Sequence, residues 1–162
     1  MAHANAAEDP ENEFVGNKFS YLTQLLVARK MSDKLSLMLI PTWIHYNVVP
    51  SGVNNSNEVF SIGAAGKYKI KSNLNLTLEY SRQLNMYENL VTKNGAIVNY
   101  NPDLLSVGIE INTGGHLFQF YVGNTTDASL IDQLSRNTSS IKEGNFALGF
   151  TINRSMNVRK EK

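Results

Sequence analysis

Cysteine is absent from the 162 residues, which excludes a disulfide scaffold, thiol catalysis and a thiolate metal site. An excess of charge of either sign is missing too. Fifteen basic and 14 acidic side chains leave a formal net charge of +1, with no basic block for nucleic acid and no acidic tail. No apolar run approaches the roughly 20 residues of a spanning helix, so a helical membrane protein is excluded. The opening MAHANAAEDPEN has neither the basic start nor the apolar stretch of a secretion signal. Either a signal has been removed or the chain is a piece of a longer precursor. None of these absences bears on a membrane barrel, whose alternating strands average out in any hydropathy window.

What is present is alternation. Seven segments read as strands, at 14–30, 35–49, 58–70, 74–84, 104–113, 116–124 and 144–156, and none sustains a helical period. EINTGGHLFQFYVGN folds back on itself about Gly114-Gly115. Ile111 then falls opposite Phe118, Ile109 opposite Phe120 and Val107 opposite Val122. Glu110 meets Gln119, and Gly108 meets Tyr121. A two-residue Gly-Gly loop suits the positive φ of a tight hairpin turn. The third segment sets Phe60, Ile62, Ala64, Tyr68 and Ile70 against Ser61, Gly63, Ala65, Lys67 and Lys69. In the fourth, Leu74, Leu76, Leu78 and Tyr80 oppose Asn75, Thr77, Glu79 and Ser81. In the seventh, Phe146, Leu148, Phe150 and Ile152 oppose Ala147, Gly149, Thr151 and Asn153. The first two segments carry apolar residues on both faces, and their outward side is not assigned. Pro41 has no amide donor and implies a bulge or a break in the ladder.

The connections are as informative as the strands. MSDK, KSN and TGG are short, whereas PSGVNNSN, the 19 residues from Asn85 to Asp103 and the 19 from Thr125 to Glu143 are long and polar. Short and long alternate strictly, which places all short turns at one end of the sheet and all long loops at the other. Outer-membrane barrels have that asymmetry. Asparagine, 20 residues in all, concentrates in the connections, where it tolerates left-handed backbone and bonds its own main chain. The polar face is rich in Gly, Ala, Ser, Thr and Asn, and small residues suit the crowded inside of a curved sheet. A Tyr opposite a Gly, as in Tyr121 and Gly108, covers a strand glycine. Phe60 and Tyr68, on one face and about 20 Å apart along a tilted barrel axis, match two aromatic girdles.

NKFSYLTQLLVARKMSDKLSL, PTWIHYN, GAAGKYKI and GGHLFQFYVGNT…GNFALGFTINR resemble the C-terminal half of an uncharacterised outer-membrane β-barrel family of Bacteroidota. The resemblance covers residues 13–156, and its most specific parts are the GGHxFQ hairpin and the closing GxFxxGFxIxR strand. It implies a signal-peptide precursor, an outer-membrane location and no known enzyme activity, and it supplies no catalytic residues. The strands that would precede residue 13 are lacking.

The expectation is an all-β, antiparallel, up-and-down transmembrane barrel segment at 13–156, with polar stretches at 1–12 and 157–162. Lys67, Lys69, Glu79, Glu110, Gln119 and Tyr121 are expected to line a lumen. Ile62, Leu76, Leu78, Ile109, Phe118, Phe120, Leu148 and Phe150 are expected to face lipid. KSN pairs Ala65 with Glu79 and Lys67 with Thr77, which makes Lys67 and Glu79 diagonal neighbours within reach of one another. His45 and His116 lie at opposite ends with no carboxylate cluster beside either, so no metal or other cofactor is expected. The sequons at Asn75, Asn124 and Asn137 are treated as chance.

Seven strands put the termini on opposite sides, whereas single-chain bacterial barrels have an even number and no edge. The chain alone is therefore predicted to be an incomplete barrel, completed by an upstream segment or another chain. The other expected partners are membrane lipid and further outer-membrane proteins, with no nucleic acid. The expected function is non-enzymatic, a passive pore or a structural subunit of an outer-membrane assembly. A soluble barrel holding an apolar ligand, or an outer-membrane lipid hydrolase with Ser and His on neighbouring strands, are the alternatives.

Overall fold

The computed structural model of the chain describes residues 19–49, 56–85, 90–93, 96–125, 127 and 129–154. The polar stretches at 1–12 and 157–162 lie outside the described residues. Alternation yields the strands β1 (Ser20–Gln24), β2 (Val27–Lys30), β3 (Leu35–Tyr46), β4 (Glu58–Lys71) and β5 (Leu74–Gln83). The second half supplies β6 (Leu90–Lys93), β7 (Ala96–Asn99), β8 (Leu104–Asn112), β9 (His116–Gly123) and β10 (Ala147–Arg154). The main sheet runs in the order β1-β3-β4-β5-β8-β9-β10, with β2 beside β3, and every pairing in it is antiparallel. It is an up-and-down sheet of seven strands curled into a half-barrel.

The first predicted strand is divided in two by Pro41. Gln24 pairs with Thr42 and Val27 with Leu39, so the register is unchanged across the gap and no bulge intervenes. The Leu25 amide still donates to the Pro41 carbonyl at 3.1 Å. The return bond from position 41 has no donor, because a proline nitrogen carries no hydrogen. A break is what the ladder shows.

Every pairing proposed around Gly114-Gly115 is present, from Val107 with Val122 to Ile111 with Phe118. Of the two glycines only Gly114 has positive φ, at 82°. That fits a type II′ turn, with the unusual angle at the first central position alone.

One row of directly opposed residues starts at Arg29 and Leu37 and passes Gly66, Leu78, Val107 and Val122 to end at Leu148. On β3 it lies two residues from the short-turn end at Leu35; on β9 it lies six residues from that end at His116. The row thus climbs relative to the strand ends as the sheet is crossed. Such stagger is the shear that makes strands tilt and a sheet curl.

The burial pattern is inverted relative to a soluble domain. The buried hydrophobic residues among those described are Ile44, Tyr46, Val59 and Leu134. Leu37, Leu39, Phe60, Tyr68, Leu76, Leu78, Val107, Ile109, Phe120 and Phe150 are exposed, and Leu148 reaches 82%. All of these share the convex face by register. An apolar patch seven strands wide far exceeds the few hundred Å² that soluble monomers expose.

On the concave face the strands approach tightly where residues are small. A Cβ at Gly108 would lie 2.8 Å from the Phe120 carbonyl oxygen and 2.8 Å from Thr77 Oγ1, whereas one at Gly115 would meet nothing within 4 Å. The Phe120 carbonyl is backbone and cannot swing aside. Gly108→Ala should therefore cost about 1–3 kcal/mol, and Gly115→Ala should change stability by less than about 1 kcal/mol. Urea unfolding of the refolded protein in detergent checks the contrast.

Candidate functional site

The concave face is a polar trough. Lys67, Lys69, Glu79, Glu110, Gln119 and Tyr121 all project to it by register. Ile62, Leu76, Leu78, Ile109, Phe118, Phe120, Leu148 and Phe150 all project to the convex side. The first segment is now assigned as well. Tyr21, Leu25, Val27 and Arg29 share the convex face, while Leu22, Gln24, Leu26 and Ala28 share the concave one.

At the trough's centre Glu110, 5% exposed, gathers three donors. Lys67 Nζ donates to its Oε1 at 2.7 Å, Asn75 Nδ2 to the same oxygen at 2.8 Å, and Gln119 Nε2 to Oε2 at 3.3 Å. Asn153 Nδ2 donates in turn to Gln119 Oε1 at 3.3 Å. Lys67 is therefore partnered by Glu110, two strands away, and not by its diagonal neighbour Glu79. The reason is steric. Lys67 stands opposite Thr77, and Thr77 opposite Gly108, so its long side chain crosses β5 over small residues. Ala65 does pair with Glu79 as expected, but the Glu79 carboxylate is exposed in the trough.

Tyr121 also departs from expectation. Its ring covers Gly149 on β10, where an added Cβ would come within 2.1 Å of the ring carbons. At Gly108 only the Tyr121 Cβ comes close, at 3.1 Å. The ring lies on the following strand because Gly149 pairs directly with Tyr121 and leaves a flat seat there. Beside it is a cavity of about 620 Å³ lined by Thr77, Glu79, Ser106, Gln119, Tyr121 and Gln133. Toward the short turns the trough continues as a space of about 410 Å³ beside Ser36, Met38, Lys67, Glu79 and Glu110.

The long-loop end differs most from the sequence reading. The β9–β10 connection does not project freely. It forms a helix, α1 (Leu130–Ser135), then a single 3-10 turn at Ile141–Glu143. Leu134 packs with Ile44, Tyr46 and Val59, and Leu22, Leu104 and Ile131 close around them. The Tyr46 hydroxyl meets the Ser135 hydroxyl, which donates to the Ile131 carbonyl at 2.7 Å. Asn124 Nδ2 donates to the carbonyls of Asp103 and Ser139 at 2.7 and 2.9 Å, and Asn124 Oδ1 accepts from the Leu105 amide at 2.8 Å. Asn137 Nδ2 donates to the Pro102 and Ser139 carbonyls at 3.1 and 3.2 Å. All three sequon asparagines, Asn75 included, thus serve internal bonds. A six-residue helix is too short to show a period, so this element had no sequence signal. The β6–β7 hairpin does have one, in the Asn-Gly of VTKNGAIV, and lies within the stretch from Asn85 to Asp103 that the sequence reading gives as a long polar connection.

On the convex side at this same end, His45 Nδ1 lies 2.7 Å from Glu58 Oε1, and the Trp43 indole nitrogen donates to Glu58 Oε2. One carboxylate therefore does stand beside His45, placed by the direct pairing of His45 with Glu58. Also on the convex side, the Tyr80 hydroxyl donates to Asp103 at 2.6 Å. Among the described residues no three His, Asp or Glu side chains converge as a metal site.

A family model described as a membrane bound beta barrel domain (DUF5777) matches residues 1–156. No curated protein and no solved structure matches the chain.

Removing the Glu110 carboxylate strands its donors in a half-enclosed trough. Glu110→Leu should cost about 1–3 kcal/mol, while Glu79→Gln, at an exposed side chain, should be close to neutral. Denaturant titration of both variants in micelles measures the difference.

Proposed function

For a chain that belongs to the DUF5777 family of membrane-bound β-barrel domains, we propose a non-enzymatic role in the bacterial outer membrane, as a passive pore or a structural subunit. The observation that carries this reading is the division of the sheet into an apolar convex face and a polar, partly hollow concave one. Lipid covers the first and water fills the second. Lys67, Lys69, Glu79, Glu110, Gln119 and Tyr121 line the lumen in this reading. On the convex face His45 neighbours Tyr21, Trp43 and Glu58. His116 lies at the other end, beside Phe118.

Among the described residues β1 and β10 do not pair with each other, and each presents an open edge. In hydrocarbon every unpaired backbone group costs several kcal/mol. The edges are therefore met by further strands, from an upstream segment of the same precursor or from another chain. The first option agrees with the resemblance to the C-terminal half of a Bacteroidota barrel.

Arg at Phe120 or Ile109 should cost about 2–4 kcal/mol of stability in bilayers and Arg at Gln119 much less. Similar costs at all three positions would sink the lipid-facing assignment. Planar-bilayer recording then separates the two roles. Discrete conductance steps support the pore, and stable insertion with no current supports the structural subunit.

A further inference from the structure

We infer that residues 129–146 form a plug seated inside the lumen mouth, and that this plug, not the strand wall, sets how open the long-loop end is. The connection leaves the sheet at Gly123 and returns at Ala147, two residues that pair with each other. A connection between adjacent strands needs to go nowhere else. This one crosses the concave side to the far wall, where Leu134 packs on Ile44, Tyr46 and Val59 and the Ser135 and Tyr46 hydroxyls meet. β3 and β4 are separated from β9 and β10 by β5 and β8. A segment rooted at one wall and packed on the other bridges the mouth.

The seat is built on both sides. Where the plug lands, the concave face presents the apolar residues Leu22, Ile44, Val59 and Leu104 to it. On the near side Asn124 and Asn137 stitch the plug to the chain entering β8, through the carbonyls of Pro102 and Asp103 and the amide of Leu105. Asn101 Nδ2 donates to the Ser135 carbonyl at 3.1 Å. Ser135 is 0% exposed and Asn137 1%, values that a loop projecting into water would not reach. Between α1 and the wall remains a space of about 240 Å³, lined by Gln24, Ile40, Ser81, Ser106, Gln133 and Leu134. Its size suits water or a small ion and not a folded partner.

The seating stands without the pore reading; the control of conduction rests on it. The absence of native cysteine makes the test direct. Ser135→Cys and Lys142→Cys are introduced singly into the full chain, refolded into vesicles and treated with a water-soluble maleimide. The thiol at 135 should react at least about tenfold more slowly than the one at 142, since it needs local opening. Equal rates would overturn the plug. Hydrogen exchange on the unaltered chain asks the same question without substitution: residues 130–137 should be protected, and full exchange there at the dead time would overturn the plug too. Asn124→Ala with Asn137→Ala should then raise both the labelling rate at 135 and the single-channel conductance. Faster labelling with unchanged conductance contradicts control by the plug where the parent conducts. Where the parent carries no current and the released variant carries none either, it is the pore reading that fails, and the seating stands on the labelling.

Discussion

Backbone hydrogen bonding in a setting without water is the constraint on which the rest of this structure depends. A sheet whose convex face lies in hydrocarbon must satisfy each strand amide within its own ladder, because the surroundings offer no partner. Antiparallel neighbours joined by short turns do this, and the climbing row from Leu37 to Leu148 gives the sheet its curl. Curvature in turn dictates which residues stand on which side. The wide convex surface takes Phe60, Leu78, Ile109 and Phe150, and the crowded concave one takes Gly63, Ala65, Ser81 and Gly108. Where a residue on the inside is large and charged, as Glu110 is, it is held by three donors at once.

The mouth obeys a different rule from the trough below it. There the concave wall turns apolar and receives Leu134 and Ile131 from α1. This local exchange of polar for apolar residues accounts for the two-sided apolar character of the first segments. Leu22 and Ile44 face inward to seat the plug, while Tyr21 and Trp43 face outward. The division at Pro41 falls just below the seat, and the ladder resumes in register beyond it.

Most of the sheet was legible in the sequence because its two signals are local. Period-two alternation marked five of the seven strands cleanly, and the Gly-Gly and KSN turns set the register of β8 with β9 and of β4 with β5 up to the irregularity at Lys69–Lys71. The features that escaped depend on contacts across long connections. Glu110 becomes the partner of Lys67 only once β5 pairs with β8, and 20 residues separate those strands. The plug escaped because its helix has six residues and its anchors are Asn and Ser side chains, which in sequence look like any polar loop. The Tyr121 ring went to Gly149 and not Gly108 because both glycines flank it, and alternation cannot choose between two neighbours.

The orientation of the sheet in the membrane is the central claim, and the single tryptophan offers a way to test it. Trp43 lies on the convex face toward the long-loop end, tied to Glu58 beside His45, where an amphipathic ring belongs at a membrane interface. The measurement is quenching of its fluorescence in vesicles of lipids brominated at shallow or deep acyl positions. Shallow bromine should quench Trp43 more strongly, and moving the sole tryptophan to position 109 in a Trp43→Phe background should shift the maximum to deep bromine. Quenching by aqueous acrylamide at both positions, with no response to brominated lipid, would contradict an apolar face turned toward the bilayer.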